Sequence, residues 1–117
     1  MTAKKILVVN NDLDTMSLIQ QLLETNGYKV KYSGNRNEVI ELLDGFKPDL
    51  LLIDILQMGI LKKDRLASLQ QQMPILMMTG YNHYADAPVL SPDAFIKKPF
   101  TLEELISAIE KLLSKKS

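Results

Sequence analysis

The feature that most constrains this chain is a set of short apolar runs, each of which stops where polar residues begin. Unbroken apolar runs of this length are typical of parallel strands that are buried on both faces of a sheet. Ligands of open α/β sheets bind beyond the carboxyl ends of the strands, so polar residues at those ends are expected to meet at one edge. A carboxylate, a hydroxyl and an ammonium gathered there indicate an anion-handling site suited to phosphoryl transfer. The polar residues concerned are Asn10 and Asn11, Asp54, Thr79 and Lys98.

The segments between the runs carry helical signals. Asp12 or Asp14 can cap a first helix, which Gly27 closes. Strand and helix alternate five times, which predicts a parallel sheet with helices on both faces. The other predicted elements are a strand at 28–33, a helix begun by Asn35 and Glu38, a helix at 62–72, a short helix within 80–93 limited by Pro88 and Pro92, and a last helix begun by a Thr101–Glu104 capping box.

Composition excludes several classes of function. The 117 residues suit one domain, with no room for a separate output domain. The 14 basic and 14 acidic side chains balance, which argues against a nucleic-acid partner. The absence of cysteine removes disulfides and thiolate chemistry. With no signal peptide and no apolar stretch of membrane-spanning length, we expect a soluble, cytoplasmic protein without a membrane partner.

Four motifs, taken in order, resemble the receiver domain of bacterial two-component response regulators over essentially the whole chain. The resemblance implies an α/β, flavodoxin-like three-layer sandwich, with a five-stranded parallel sheet in the order 2-1-3-4-5 and helices on both faces. It also implies that residues 1–117 form a single receiver domain with no output domain. The motifs are KILVV at 5–9, PDLLLID at 48–54, MMTG at 77–80 and FIKKPF at 95–100.

The same resemblance implies a role for each site residue. Asp54 is similar to the aspartate that accepts a phosphoryl group from a sensor histidine kinase or a phosphotransfer protein in a phosphorelay. Lys98 matches the lysine that pairs with the phosphoryl oxygens, Thr79 the switch hydroxyl and Phe95 the switch aromatic. Such a protein signals through contacts with a downstream protein, here unknown. It is no enzyme beyond self-phosphorylation from a donor and slow self-dephosphorylation.

The chain departs from the family at the metal site. Asn10 and Asn11 stand where the family has two acids, which hold Mg2+ together with the phosphorylated aspartate and a backbone carbonyl, here that of Leu56. Amide oxygens are neutral and weaker ligands for Mg2+, so we expect a weak or lost site. Three outcomes stay open: Asp12 supplies a carboxylate, Mg2+ binds weakly through Asp54, the Leu56 carbonyl and water, or Lys98 pairs with Asp54 and replaces the cation.

Two loops also depart from the family pattern. Residues 55–62 lack the usual Met-Pro turn and Asp-Gly pair, and only 18 residues separate Thr79 from Lys98. We therefore expect a more apolar loop beside the site and an unusual partner surface. His83 lies in the second segment, where an exposed loop histidine is a simpler interpretation than a phosphoryl acceptor.

Three classes of function remain open once these departures from the family pattern are considered. The first is a single-domain response regulator that is phosphorylated on Asp54, and the alternative is a degenerate pseudo-receiver that acts as a phosphorylation-independent interaction module. The third, an α/β enzyme or flavin carrier, is the weakest. It lacks a glycine- or serine-rich phosphate loop after the first strand and a second aspartate two residues beyond Asp54.

Overall fold

The structure is a computed structural model that describes residues 3–10, 12–54, 63–79 and 94–115. Strands and helices alternate along the chain, as the apolar runs and helical spacings predict. The strands are β1 (Lys5–Val9), β2 (Lys29–Ser33), β3 (Leu50–Asp54), β4 (Ile75–Thr79) and β5 (Ala94–Lys97). The helices are α1 (Leu13–Thr25), α2 (Arg36–Gly45), α3 (Lys63–Gln72) and α4 (Leu102–Lys115).

The five strands form one parallel sheet in the order β2-β1-β3-β4-β5, which confirms the predicted 2-1-3-4-5 topology. The register brings the carboxyl ends of the strands to one edge. Val9 lies opposite Ile53, Asp54 opposite Met78, and Thr79 opposite Lys97. Residues far apart in sequence therefore reach the same edge of the sheet, as the polar ends of the apolar runs predicted.

The sheet is covered on both faces, because successive side chains of each strand point to opposite sides. On one face, Ile6, Val8 and Leu52 pack in a cluster that includes the buried residues of α1 and α4. On the other face, Leu7, Val9 and Ile53 pack in a cluster that includes the buried residues of α2 and α3. The fold is therefore a flavodoxin-like three-layer α/β sandwich.

Side-chain caps fix where the described helices begin. Asp12 is the N-cap of α1, which decides between the two predicted caps, and Asn35 caps α2. Thr101 and Glu104 exchange hydrogen bonds of 3.1 and 2.9 Å at the start of α4, which confirms the predicted capping box. Gly27, with φ of 93°, follows the C-cap of α1, where a left-handed conformation suits glycine.

Boundaries elsewhere differ from the prediction by about one residue, the usual uncertainty at element ends. The strand predicted at 28–33 begins at Lys29, and the helix predicted at 62–72 corresponds to α3. The loop 55–62 with Leu56, the predicted short helix within 80–93, His83 and Asn11 lie outside the described residues. Among the described helices, none combines the length and the apolar composition that a membrane span requires.

Candidate functional site

Asp54 is the central group of the candidate site. It is the last residue of β3, a strand in which all five residues are buried, and its own exposure is 3%. β3 lies between β1 and β4. A carboxylate held at the end of a central strand is rigid and largely shielded from water, which suits a nucleophile that must meet its target in line.

Lys98 provides the charge that balances this carboxylate. Lys98 directly follows β5, and its ammonium donates a hydrogen bond to Asp54 Oδ2 and forms an ion pair with it. The Asp54 side chain is 5% exposed and that of Lys98 is 35% exposed, so one partner is buried and the other reaches solvent. The pairing of Lys98 with Asp54 that belongs to the third open outcome is therefore present, while its replacement of the cation stays a prediction.

β4 separates the two partners of this ion pair, because it lies between β3 and β5. The register places the backbone of Thr79, at the end of β4, beside Lys97. Thr79 is therefore at the predicted edge, while its hydroxyl lies outside the described part of the chain.

The peptide bond between Lys98 and Pro99 is cis.

Asn10 is buried at the same edge, with 4% exposure. Its side-chain Oδ1 accepts a hydrogen bond from the backbone N–H of Asp12 at 3.0 Å, and its own N–H donates to the carbonyl of Ser33 at 3.2 Å. These bonds tie the start of α1 to the ends of β1 and β2. The side chain of Asn10 thus shapes the turn after β1.

Asp12, the carboxylate predicted as a substitute metal ligand, is engaged in capping α1. Its Oδ1 accepts the backbone N–H groups of Asp14 and Thr15 at 3.1 and 3.3 Å, and its Oδ2 accepts the Thr15 hydroxyl at 2.7 Å. The Thr15 hydroxyl lowers the pKa of this carboxyl most, followed by backbone hydrogen bonds and the nearby positive charge of Lys98. Asp12 therefore lies close enough to Lys98 to feel its charge, but its oxygens are directed at the helix.

Mg2+, which the family resemblance implies, fits these residues poorly. No cluster of three or more His, Cys, Asp or Glu side chains that could hold a metal occurs among residues 3–10, 12–54, 63–79 and 94–115. Asp54 and Lys98 sum to zero formal charge, whereas magnesium sites usually combine carboxylates with water or phosphate. Of the other predicted ligands, Asn11 and the Leu56 carbonyl lie outside the described residues.

Phe95, the predicted switch aromatic, lies on β5 opposite Met77. It is partly buried and packs against the cluster that contains α2 and α3. This position is compatible with an ordinary core residue, and its role as a switch stays a prediction.

Sequence reasoning missed Ser33, the last residue of β2. Its side chain is buried, with 3% exposure for the residue, and its Oγ accepts the N–H of Asn35 at 3.0 Å. Its carbonyl receives the N–H of Asn10, so Ser33 supports the turn that carries Asn10. A polar residue that ends a strand two positions before a helix cap is the signal that could have revealed it.

Comparison with known proteins adds an independent line of observation. Residues 6–110 match the response regulator receiver domain family. The chain is 33% identical over 114 residues to the transcriptional regulatory protein CpxR of Escherichia coli, covering 93% of this chain and 49% of that protein. It is 30% identical over 116 residues to the alkaline phosphatase synthesis transcriptional regulatory protein PhoP of Bacillus subtilis, covering 94% and 48%. The chain thus spans about half the length of the curated relatives it matches.

Solved structures agree with this fold. A CheY-like response regulator receiver domain protein of Methanospirillum hungatei superposes with a TM-score of 0.80 at 25% identity, covering 97% of this chain and 96% of that one. A response regulator receiver protein of Sinorhizobium medicae also superposes with a TM-score of 0.80 at 25% identity, covering 98% of each chain.

Proposed function

Because this chain belongs to the response regulator receiver family, we propose that it accepts a phosphoryl group on Asp54 from a sensor histidine kinase or a phosphotransfer protein. The observation that carries the proposal is the buried carboxylate of Asp54 at the carboxyl end of β3, paired with the ammonium of Lys98. This pair puts a nucleophile beside a cation that can stabilise added negative charge.

In the proposed transfer, a carboxylate oxygen of Asp54 bonds to phosphorus as the bond from phosphorus to the donor nitrogen breaks. The electron pair of that bond stays on the imidazole of the donor, which takes up a proton. Lys98 moves its hydrogen bonds from the carboxylate to the phosphoryl oxygens, where the negative charge is larger. Ammonium groups bind phosphoryl oxygens through strong, charge-assisted hydrogen bonds.

The signal would pass from this site to a partner protein through surface contacts. Thr79 ends the strand between Asp54 and Lys98, and in this proposal its hydroxyl contributes to the phosphorylated state. Phe95 then changes its packing as the edge strand responds. Since CpxR and PhoP are described as transcriptional regulators and this chain covers half of each, we extend only the receiver step to this protein.

The test is incubation with acetyl phosphate followed by intact-protein mass measurement. We expect a gain of one phosphoryl group in the unmodified protein and none in Asp54→Asn. Asp49→Asn is a matched control, because Asp49 is partly buried just before β3, where it accepts the N–H of Lys5 at 2.8 Å. That variant should still gain the phosphoryl group. No gain in a folded, unmodified protein would contradict the proposal and favour the pseudo-receiver alternative.

A further inference from the structure

We infer that this site works without a resident Mg2+: Lys98 neutralises Asp54, and Asn10 serves to shape the turn after β1. The inference rests on the proposed function, since it states how the same phosphoacceptor site balances its charge. The chain belongs to the receiver family, and the family resemblance implies Mg2+ at the site of phosphorylation, so this chain would differ from its family in the cation it uses.

The first argument is the charge at the sheet edge. Asn10 contributes a neutral amide where the family has an acid, and Asp54 is already balanced by Lys98. The pair by itself offers a divalent cation no net negative charge. Mg2+ gives up its water reluctantly and binds where carboxylates or phosphates compensate for that loss.

The second argument is the geometry of Asn10. Its buried side chain has one acceptor atom, a neutral amide oxygen, which receives the N–H of Asp12 at 3.0 Å and keeps a single lone pair for any other partner. This bond orients the amide, because the oxygen must face the N–H donor. The other terminal atom is an NH2 group, which donates hydrogen bonds and cannot bind a cation. An aspartate at position 10 could keep the same hydrogen bond and still offer its second oxygen to a metal.

The third argument concerns Asp12, the remaining described carboxylate close to the site. To bind a cation at Asp54 it would have to give up its bonds to Asp14 and Thr15 at the start of α1. A lost N-cap destabilises a helix, so this rearrangement opposes metal binding. The capping role alone explains why a carboxylate stands at the exposed position of Asp12.

The last argument is that Lys98 and a metal ion compete for the carboxylate of Asp54. A cation bound to Asp54 would share a buried carboxylate whose Oδ2 already accepts a hydrogen bond from the ammonium of Lys98. The lysine would lie beside the incoming cation and repel it. Lys98 therefore acts against Mg2+ in the resting protein.

The direct test is titration with MgCl2 followed by amide NMR spectra, with no phosphodonor present. We expect the unmodified protein to show no saturating shift at the Asp54 amide through low-millimolar Mg2+. Asn10→Asp should bind Mg2+ at least about tenfold more tightly, because one carboxylate is restored next to Asp54. Lys98→Met should also tighten binding, because the competing charge is gone.

Asn35→Asp is the matched control for Asn10→Asp. It adds the same charge near the same end of the sheet but at the N-cap of α2, where aspartate and asparagine cap equally well. Its Mg2+ affinity should equal that of the unmodified protein. Saturation of the unmodified protein at low-millimolar Mg2+ would overturn the inference.

The acetyl phosphate reaction separates this inference from the proposed function. If phosphorylation of Asp54 proceeds at rates within about twofold in EDTA and in Mg2+, both statements are supported. If phosphorylation occurs only with Mg2+, the inference fails and the proposed function stands. If the protein gains no phosphoryl group in either condition, the proposed function fails, and the NMR titration alone decides whether Mg2+ binds.

Discussion

The ion pair between Asp54 and Lys98 leads to a quantitative prediction. Two opposite charges at a usual charge-assisted separation of about 2.8 Å attract by about 6 kcal/mol at an effective dielectric constant of about 20, and by about 1.5 kcal/mol in water. Asp54 is almost fully buried, but the Lys98 side chain is 35% exposed and partly screened by solvent. We therefore expect a coupling free energy of about 2–3 kcal/mol, in the lower part of that range.

A double-mutant cycle measures this coupling. The four proteins are the unmodified chain, Asp54→Asn, Lys98→Met and the double variant, each unfolded in urea without Mg2+ and followed by circular dichroism. Lys98→Met should lower the free energy of unfolding more than Asp54→Asn does, because it removes the positive charge that balances a buried carboxylate. The double variant should lose less than the sum of the two single losses.

The exposed ion pair between Arg65 and Asp44 is the internal control. Its nitrogen and oxygen are 3.6 Å apart, and its side chains are 42% and 76% exposed. Exposed pairs of this kind couple by less than about 1 kcal/mol. If the coupling of Asp54 with Lys98 is no larger than that of Arg65 with Asp44, the burial of the carboxylate does not strengthen the pair and the reasoning is refuted.

Three further predictions concern stability. Because the pKa of Asp12 is lowered in the folded protein from its usual 3.8, its contribution to stability is present above that value and lost as pH falls through the folded pKa. Asp12→Ala should therefore lower the melting temperature at pH 7 but change it less in acid, whereas Asp12→Asn should keep the cap at pH 7. Burial, with the charge of Glu110, raises the pKa of Tyr28 from its usual 10.0. Its contribution to stability is therefore present below that pH and lost as pH rises through the folded pKa. Tyr28→Phe should weaken the alkaline loss of stability that urea titrations measure. Leu52→Ala removes a fully buried side chain and should lower the free energy of unfolding in urea by about 2–5 kcal/mol. Leu18→Ala, at a position 56% exposed, should change it by no more than about 0.5 kcal/mol. Equal losses would show that Leu52 is not a core residue.

The described strands and helices could be predicted from local patterns, and the meeting of Asp54 with Lys98 at one edge from the parallel strand order that the family resemblance implies. Apolar runs define the strands, and the Thr101–Glu104 box marks the start of α4. Parallel topology then brings the strand ends together. What remains untested is chemistry: the phosphoacceptor role of Asp54 and the switch roles of Thr79 and Phe95 stay predictions.

The sequence could not decide what Asn10 and Asp12 do, because Asp12 was predicted both as a helix cap and as a substitute metal ligand. Both carry oxygens that could bind a cation, and residue type alone does not say which partner each oxygen meets. The turn between β1 and α1 decides it, because it directs the N–H of Asp12 at Asn10 and the N–H groups of Asp14 and Thr15 at Asp12. Such short side-chain bonds depend on backbone angles that the sequence does not state.

The ion pair also has a mechanical consequence for the sheet. β5 is the edge strand beside β4, and Lys98 extends from its end across β4 to the central strand β3. Edge strands open more readily than central ones, so this link fastens the most easily opened part of the described sheet to its most rigid part. Any event that draws Lys98 away from Asp54 would speed amide hydrogen exchange in β5. The charge of one buried carboxylate therefore adds to the pairing with β4 that holds β5, a strand two positions away.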